Sequence, residues 1–273
     1  PFLGRWQGGD SNPETVSLLV GMDLFYNALQ LNFGLVLPMP AMAALLVMLA
    51  GLASPAAAQN WLQTVERTPF SHIVGNPDAP VTLTEYISYT CPHCREFAMQ
   101  GEEILKLGYV SKGDLRYEYR NVAANPVDLT ATMMARCGAP EKFPGNHSAL
   151  MMAQPQFNAL LRLATKSQTD RWFNGDKAAS RRSVASDLNL YAIFERRGYT
   201  RVELDRCLAG QALADRIEGA IEADVVTYGP ISTPSFVVNG TMLEGVHTWD
   251  QLQQALASAG APGASAQSGD PAD

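Results

Sequence analysis

Residues 81–97 read VTLTEYISYTCPHCREF. The first eight of them alternate apolar and polar side chains and include β-branched and aromatic types, which predicts a β-strand. A Cys-x-x-Cys motif follows from Cys91 to Cys94, and residues 95–107 then carry apolar side chains at helical spacing. Residues 115–122 predict a second strand. Together these segments predict a β-α-β unit with both cysteines at its first strand-to-helix turn.

Residues 126–227 carry helical signals throughout. Apolar residues recur there at spacings of three and four, which predicts among others a helix over residues 183–197, and Thr200 with Glu203 forms a capping-box pattern at the start of one helix. Beyond this region, Thr248 with Gln251 forms the same pattern before a last helix. A strand pattern returns at residues 235–238, and the turn-forming pair Asn239–Gly240 follows it. This order predicts an α/β fold that a large all-helical insertion interrupts.

The chain begins with a segment typical of protein export. Residues 41–53 form an unbroken run of small and apolar side chains, Pro55 breaks it, and Ala56–Ala58 supply an A-x-A site. This pattern predicts a secretory signal peptide that is cleaved after Ala58. An uncleaved membrane anchor over residues 35–58 is the alternative, although its prolines disfavour a continuous helix. Both interpretations place the rest of the chain outside the cytoplasm, and we expect it in the periplasm.

Five segments are expected from these patterns. They are a leader with the signal peptide at 1–58, the first part of the α/β domain at 59–125, the helical insertion at 126–227, the second part of the domain at 228–258, and a disordered Gly-, Ala-, Ser- and Pro-rich tail at 259–273. The formal net charge is −7 and there is no run of basic residues, so we expect no nucleic-acid partner.

The Cys-Pro-His-Cys motif places a thiol at a helix start. Pro92 suits the first helical position, because the N–H that it lacks would have no partner there. Cys91 then lies beside unpaired N–H groups and the positive end of the helix dipole. We expect these groups, together with a donor or partial charge from His93, to lower the pKa of the Cys91 thiol. A low pKa makes the Cys91–Cys94 disulfide an oxidant, with Cys94 as the resolving thiol.

A zinc site is the alternative interpretation of two such cysteines. Zinc in a structural site takes four ligands, and neither a second Cys-x-x-Cys nor a His-x-x-x-His motif occurs in the chain. Cys137 and Cys207 stand alone, and His72, His147 and His247 are scattered. We therefore expect neither a metal nor a cofactor.

Two stretches resemble the DsbA-type branch of the thioredoxin superfamily, namely residues 85–94 (EYISYTCPHC) and 232–240 (STPSFVVNG). The resemblance implies a thioredoxin-like fold and thiol–disulfide exchange without a cofactor. It also implies that Pro234 is a cis proline facing the cysteines, and that Pro92, Thr233 and Pro234 contact the substrate. Thr233 would offer backbone hydrogen bonds to an extended substrate segment. Without the resemblance, Pro234 would be taken for an ordinary trans proline at a strand edge.

Glu85 lies on the same face of the predicted strand as three apolar residues. A carboxylate on an apolar face is costly unless it is paired or used. In the family that the chain resembles, a buried acid lies near the deeper cysteine, and we predict that Glu85 helps to move the Cys94 proton. A salt bridge from Glu85 to Arg120 or to another strand residue is the alternative, and both can hold at once.

Cys137 and Cys207 both lie in the predicted helical insertion. In an oxidising compartment we expect them to form a structural disulfide, which would stabilise the fold by about 3–4 kcal/mol. Two separate buried free cysteines are the alternative.

The direction of exchange is predicted from the resemblance. Pro92–His93 resembles the oxidases, whereas Thr before the cis proline is usual in the isomerases. Residues 59–80 are too short for the separate dimerisation domain of those isomerases, so we favour an oxidase of reduced or unfolded exported proteins. A quinone-linked membrane protein would then reoxidise it. One alternative is a reductase of the same fold. Another is a binding or chaperone module in which the Cys91–Cys94 disulfide is merely structural, and such a module would show an ordinary thiol pKa.

Overall fold

A computed structural model describes residues 59–259, so the predicted signal peptide and most of the predicted tail lie outside the described residues. The strands are β1 (Val65–Arg67), β2 (His72–Val74), β3 (Val81–Ile87), β4 (Leu115–Asn121), β5 (Ser235–Val238) and β6 (Thr241–Met242). The helices are α1 (Pro92–Gln100), α2 (Glu102–Leu105), α3 (Pro126–Ala135), α4 (Phe143–Arg162), α5 (Lys166–Phe173), α6 (Lys177–Asp187), α7 (Leu190–Glu195), α8 (Arg201–Leu208), α9 (Gln211–Tyr228) and α10 (Trp249–Ser258).

The strands form one mixed sheet in the order β1-β2-β4-β3-β5-β6. β3 and β4 are parallel, with Leu83 opposite Tyr117, and α1 leads from one to the other, so the predicted β-α-β unit is confirmed. The other neighbouring strands are antiparallel. The central strands β3 and β4 are buried over almost their whole length, as expected for a sheet covered on both faces.

Helices α3 to α9 separate β4 from β5, which confirms the predicted α/β fold with a large helical insertion. The capping boxes predicted at Thr200 with Glu203 and at Thr248 with Gln251 both form. The helix expected over residues 183–197 is two helices, α6 and α7. Asn189 lies between them with φ +57°, in the left-handed region that ends a helix.

Two short strands were missed in residues 59–80, which the sequence predicts only as a turn-rich segment. β1 and β2 have three residues each, too few for an alternating pattern to be recognised. β2 pairs with β4, where His72 lies opposite Tyr119, and so extends the sheet beyond the β-α-β unit.

The helix that carries the cysteines starts at Pro92, as predicted, but it is interrupted at Gly101 and does not continue unbroken to residue 107. A Cβ atom at Gly101 would lie 3.0 Å from both the Phe97 and Trp249 side chains, so only glycine allows α10 to approach this closely. Helix α2 and a π-helical turn, Lys106–Val110, continue the chain towards β4. Within residues 59–259, every helix is too short or too polar to cross a membrane.

Candidate active site

The two cysteines lie in different environments at the start of α1. Cys91 is the N-cap residue with an extended backbone, Pro92 is the first helical residue, and both cysteines are free thiols. Cys91 is partly exposed, whereas Cys94, less than one turn further along the helix, is fully buried. The backbone N–H of Ser88 points to the Cys94 sulfur at 3.5 Å. Only Cys91 can therefore meet a large substrate.

The same geometry separates the acidities of the two thiols. The pKa of Cys91 is lowered to about 5, chiefly by the hydrogen bond from the Cys94 thiol, with burial opposing and the backbone N–H groups of Cys94 and His93 assisting. Burial raises the pKa of Cys94 far above its usual range, and the hydrogen bond to Cys91 raises it further; an ionised Glu85 would add to this effect. Cys91 is thus the thiolate of the pair at neutral pH.

The His93 imidazole has a smaller effect on the pKa of Cys91 than the sequence predicts. Its side chain is 76% exposed, and Nδ1 lies 3.7 Å from Glu96 Oε2. The contribution of His93 that lowers the pKa of Cys91 comes from its backbone N–H.

The Thr233–Pro234 bond is cis and lies opposite the cysteines. The Cys91 thiol donates a hydrogen bond to the Thr233 carbonyl at 3.2 Å. On the far side of the loop, Nδ1 of His247 lies 2.7 Å from the Pro234 carbonyl oxygen, which gives this loop a second attachment, to the segment before α10.

A groove of about 380 Å³ runs beside the cis proline. Its walls come from α1, the loop before β5 and the start of α10, and include His93, Phe97, Pro234, His247 and Trp249. Both apolar rings and imidazoles are therefore available to a substrate segment that approaches Cys91.

The loop before Cys91 is held by helices of the insertion. Asp128 on α3 accepts hydrogen bonds from the backbone N–H of Tyr89 at 2.7 Å and of Ala124 at 3.0 Å. Gln154 on α4 donates to the carbonyls of Tyr89 at 3.0 Å and of Cys91 at 2.9 Å. Burial raises the pKa of Asp128 to about 6, although both backbone N–H groups lower it.

Glu85 is fully buried on β3 behind the cysteines. The Tyr117 hydroxyl donates to its Oε2, while Oε1 has no hydrogen-bond partner among the residues that the structure describes. Burial raises the pKa of Glu85 well above its usual range, which favours the protonated carboxyl. The alternative salt bridge to Arg120 is wrong.

Arg120 is instead paired with two other carboxylates. Its guanidinium lies 2.7 Å from Asp224 and 2.9 Å from Glu118. Successive residues of a strand face opposite sides of the sheet, so Arg120 is on the face opposite Tyr119, away from Glu85 and its partner Tyr117.

Several of these residues were missed by the sequence analysis. Asn125 stands directly before Pro126, and an asparagine followed by a proline is a recognisable signal for the start of a helix. Its side-chain oxygen accepts hydrogen bonds from the backbone N–H groups of Val127 and Asp128. Asp128 then falls in the first turn, where an acid is common. Nothing in the sequence indicated that Asp128 or Gln154 reaches the loop before Cys91, because those contacts join distant segments.

Cys137 and Cys207 form a disulfide that links the segment after α3 to α8. In residues 59–259, no three His, Cys, Asp or Glu side chains are grouped so that they could hold a metal ion.

A family model described as Thioredoxin matches residues 67–258. A crystal structure of a protein-disulfide isomerase from Novosphingobium aromaticivorans is 38% identical, with a TM-score of 0.67, and the match covers 69% of this chain and 96% of that one. Alpha-DsbA1 of Wolbachia pipientis matches with a TM-score of 0.56 at 18% identity, over 70% of this chain and 92% of that one. The predicted thioredoxin-like fold with its helical insertion is therefore confirmed.

Among curated proteins, a relative from Rickettsia bellii named "Putative protein-disulfide oxidoreductase" is 28% identical over 174 residues. The match covers 63% of this chain but only 58% of the relative. The chain thus spans less than two thirds of that relative's length.

Proposed function

This chain belongs to the thioredoxin family, and from that premise we propose that it is a protein thiol–disulfide oxidoreductase that donates its Cys91–Cys94 disulfide to folding proteins. The observation that carries the proposal is the contrast between the two thiols. Cys91 is partly exposed at a helix start with a pKa of about 5, while Cys94 is buried with a raised pKa.

In the proposed reaction a substrate thiolate attacks the Cys91 sulfur of the disulfide. The Cys91–Cys94 bond breaks, a mixed disulfide forms at Cys91, and Cys94 leaves and takes up a proton. The substrate's second thiolate then attacks its own sulfur in the mixed disulfide and forms the substrate disulfide. Cys91 leaves as a stable thiolate because its pKa is low. Both electrons of the substrate dithiol end on the enzyme pair.

The groove beside Pro234 is the proposed substrate site. An extended segment lying there would meet Thr233, Pro234 and the rings of Phe97 and Trp249. We propose that the same segment contacts Pro92 at the helix start as it approaches Cys91. Backbone hydrogen bonds of this kind recognise an extended chain with little dependence on its sequence, which suits an enzyme for many substrates.

The test uses oxidised enzyme and a reduced, unfolded protein containing cysteine pairs. Wild type should form substrate disulfides, Cys91→Ser should abolish turnover, and Cys94→Ser should accumulate mixed disulfides at Cys91 that are visible in non-reducing gels. Turnover by Cys91→Ser would contradict the assignment of Cys91 as the attacked sulfur.

Equilibration of the Cys91–Cys94 pair with glutathione tests the direction. Oxidases of this type lie near about −120 mV and thioredoxin near about −270 mV. The low pKa of Cys91 stabilises the reduced pair and predicts a value towards the oxidase end. A thioredoxin-like value would favour a reductase.

An isomerase is the second candidate, and two observations favour it. Thr233 precedes the cis proline, as is usual in isomerases, and the solved protein at 38% identity is named a protein-disulfide isomerase. Incubation of the reduced enzyme with a scrambled disulfide substrate distinguishes the two. Recovery of native pairing with no net change in thiol number would support the isomerase.

We also propose that the mature protein is periplasmic after cleavage behind Ala58, and that a quinone-linked membrane protein reoxidises it. An oxidising compartment agrees with the Cys137–Cys207 disulfide. Edman sequencing of the exported protein should begin at Gln59. A non-enzymatic binding module would instead show a Cys91 pKa near about 8.5 and no turnover.

A further inference from the structure

We propose that Glu102 is a positioning residue for the exchange reaction. Its negative charge, held by Lys106 and His147, keeps the neighbouring Glu85 carboxyl protonated so that Glu85 can give a proton to Cys94. This inference rests on the proposed function, since it concerns the departure of the Cys94 sulfur.

Glu102 is a buried carboxylate with an unusually complete set of donors. Its Oε1 lies 2.7 Å from Nε2 of His147, and its Oε2 lies 2.9 Å from Nζ of Lys106 and 3.4 Å from the Tyr119 hydroxyl. Only about 3% of the Glu102 side chain is exposed. Both oxygens are thus paired with donors, two of which can carry positive charge, and this environment favours the ionised form.

Glu85 has the opposite environment. It receives one hydrogen bond, from the Tyr117 hydroxyl, and its other oxygen lacks a partner among the described residues. A carboxylate so poorly solvated is costly to bury, whereas a protonated carboxyl is not. Glu102 therefore has more hydrogen-bond donors than Glu85, and it is the acid that ionises more readily.

The two carboxyls are related through their tyrosine partners, because the rings of Tyr117, which donates to Glu85, and Tyr119, which donates to Glu102, have centroids 4.2 Å apart. The charge of one carboxyl therefore acts on the other. Like charges in one buried site cannot both ionise easily, so the acid with the better partners takes the charge and raises the pKa of the other. For Glu85, burial is the largest cause of the raised pKa and the charge of Glu102 the next. For Glu102, burial opposes ionisation, but His147 and Lys106 outweigh it and lower the pKa to about 2.

The groups that act on Glu85 come from several elements. Tyr117 comes from β4, Cys94 from α1 and Glu102 from α2, while Lys106 follows α2 and His147 reaches Glu102 from α4. Of these, Lys106 is the group whose charge opposes that of Glu102, because a nearby cation lowers the pKa of Glu85.

A route to solvent exists at the far end of this cluster. A cavity of about 290 Å³ between α1, α2 and α4 is lined by Glu102, Lys106 and His147, and Lys106 is 14% exposed. The cavity gives the charged end of the cluster contact with water. At the other end of the cluster, Glu85 and Cys94 are both fully buried.

In the proposed step, the Cys91–Cys94 bond breaks as the substrate sulfur bonds to Cys91, and the departing Cys94 sulfur takes the Glu85 proton. Glu85 becomes a carboxylate and regains a proton from water before the next cycle. Because burial raises the pKa of Cys94, it is a poor leaving group as an anion, and a donor at this position lowers the barrier.

The test compares three substitutions in the oxidised enzyme. Glu102→Gln removes the negative charge and Lys106→Met the positive one, while Glu103→Gln is the matched control. Glu103 also lies 3.4 Å from the Lys106 ammonium, but its side chain is 74% exposed. The first readout is the rate of mixed-disulfide formation with a thiol peptide, divided by the peptide's thiolate fraction, as a function of pH.

The rate should fall at alkaline pH as Glu85 loses its proton, and this fall is the alkaline limb of the profile. Glu102→Gln and Lys106→Met should move the limb in opposite directions. Glu102→Gln should shift it to lower pH by about one unit or more, because Glu85 then ionises more readily. Lys106→Met should shift it to higher pH, and Glu103→Gln should leave it in place. A merely structural role of Glu102 would reduce the rate at every pH without moving the limb, and that result would overturn the inference.

The second readout does not depend on turnover. The carbonyl band of the protonated Glu85 carboxyl, identified in the infrared spectrum by its loss in Glu85→Gln, should titrate with the same opposite shifts. Identical midpoints in wild type, Glu102→Gln and Lys106→Met would overturn the inference whatever the rates show. Shifted midpoints in an enzyme without exchange activity would instead refute the proposed function and leave the charge relationship standing.

Discussion

The Cys91 sulfur lies 3.2 Å from the carbonyl oxygen of Thr233, although 142 residues separate them in the chain. The reduced thiol donates a hydrogen bond to this carbonyl. A thiolate and a disulfide sulfur have no hydrogen to donate, so ionisation of Cys91 or its bond to Cys94 leaves the carbonyl free. The proposed substrate segment, which meets the oxidised pair, would therefore find this acceptor of the cis-proline loop available.

The first prediction concerns the origin of the low Cys91 pKa. The Cys94 thiol is the largest cause, so Cys94→Ala should raise the Cys91 pKa well above 5, while Cys94→Ser, which keeps a hydroxyl donor, should raise it less. His93→Ala keeps the backbone N–H and should have the smallest effect. Thiolate absorbance at about 240 nm, followed with pH, measures all three. An equal rise in Cys94→Ala and Cys94→Ser would exclude the hydrogen bond as the cause.

The second prediction is a pH dependence of stability from Asp128. Burial raises its folded pKa to about 6, above the unfolded value of about 3.9, so the folded state binds the extra proton. The contribution to stability is fully present below pH 4 and is lost as the pH rises through 6, by about 2–3 kcal/mol. Urea unfolding at several pH values should show this loss in wild type relative to Asp128→Asn. A constant difference between the two proteins would contradict it.

The third prediction tests the attachment of the loop before Cys91. Gln154→Leu removes a donor from the Tyr89 carbonyl and leaves the Cys91 carbonyl only the 3.4 Å bond from the Arg95 N–H, and it should lower the free energy of unfolding by about 1–3 kcal/mol. Gln156→Leu, on an exposed position of the same helix, is the matched control and should have little effect. If both variants unfold at the same urea concentration as wild type, the hydrogen bonds from α4 do not hold this loop.

The fourth prediction separates the second disulfide from the redox centre. Its cysteines are 70 residues apart, and replacing both with alanine should lower the free energy of unfolding by about 4 kcal/mol through the freedom regained by the unfolded chain. The Cys91 pKa should stay unchanged, because its causes are groups at the start of α1 and Thr233, and neither cysteine of this disulfide is among them. Unfolding and thiol titration of the same variant check both halves, and a shifted Cys91 pKa would mean that the disulfide also acts on the active site.

The sequence alone determined the parts of this protein that depend on neighbouring residues. An alternating strand, a Cys-x-x-Cys motif and Pro92 predict the helix start beneath Cys91, because strand period and helix capping are local effects. The capping boxes at Thr200 and Thr248 follow for the same reason. The fold class followed from the order of such elements.

Only the tertiary structure decided which distant groups meet. Tyr117 rather than Arg120 partners Glu85, and Asp128 and Gln154 reach the loop before Cys91 across 39 and 65 residues. Such contacts depend on the side of the sheet or helix to which each side chain points and on how the insertion packs, and no local pattern encodes either. The helix start beneath Cys91 is therefore local in origin, whereas the contact of Cys91 with Thr233 and the charges behind Cys94 come from packing.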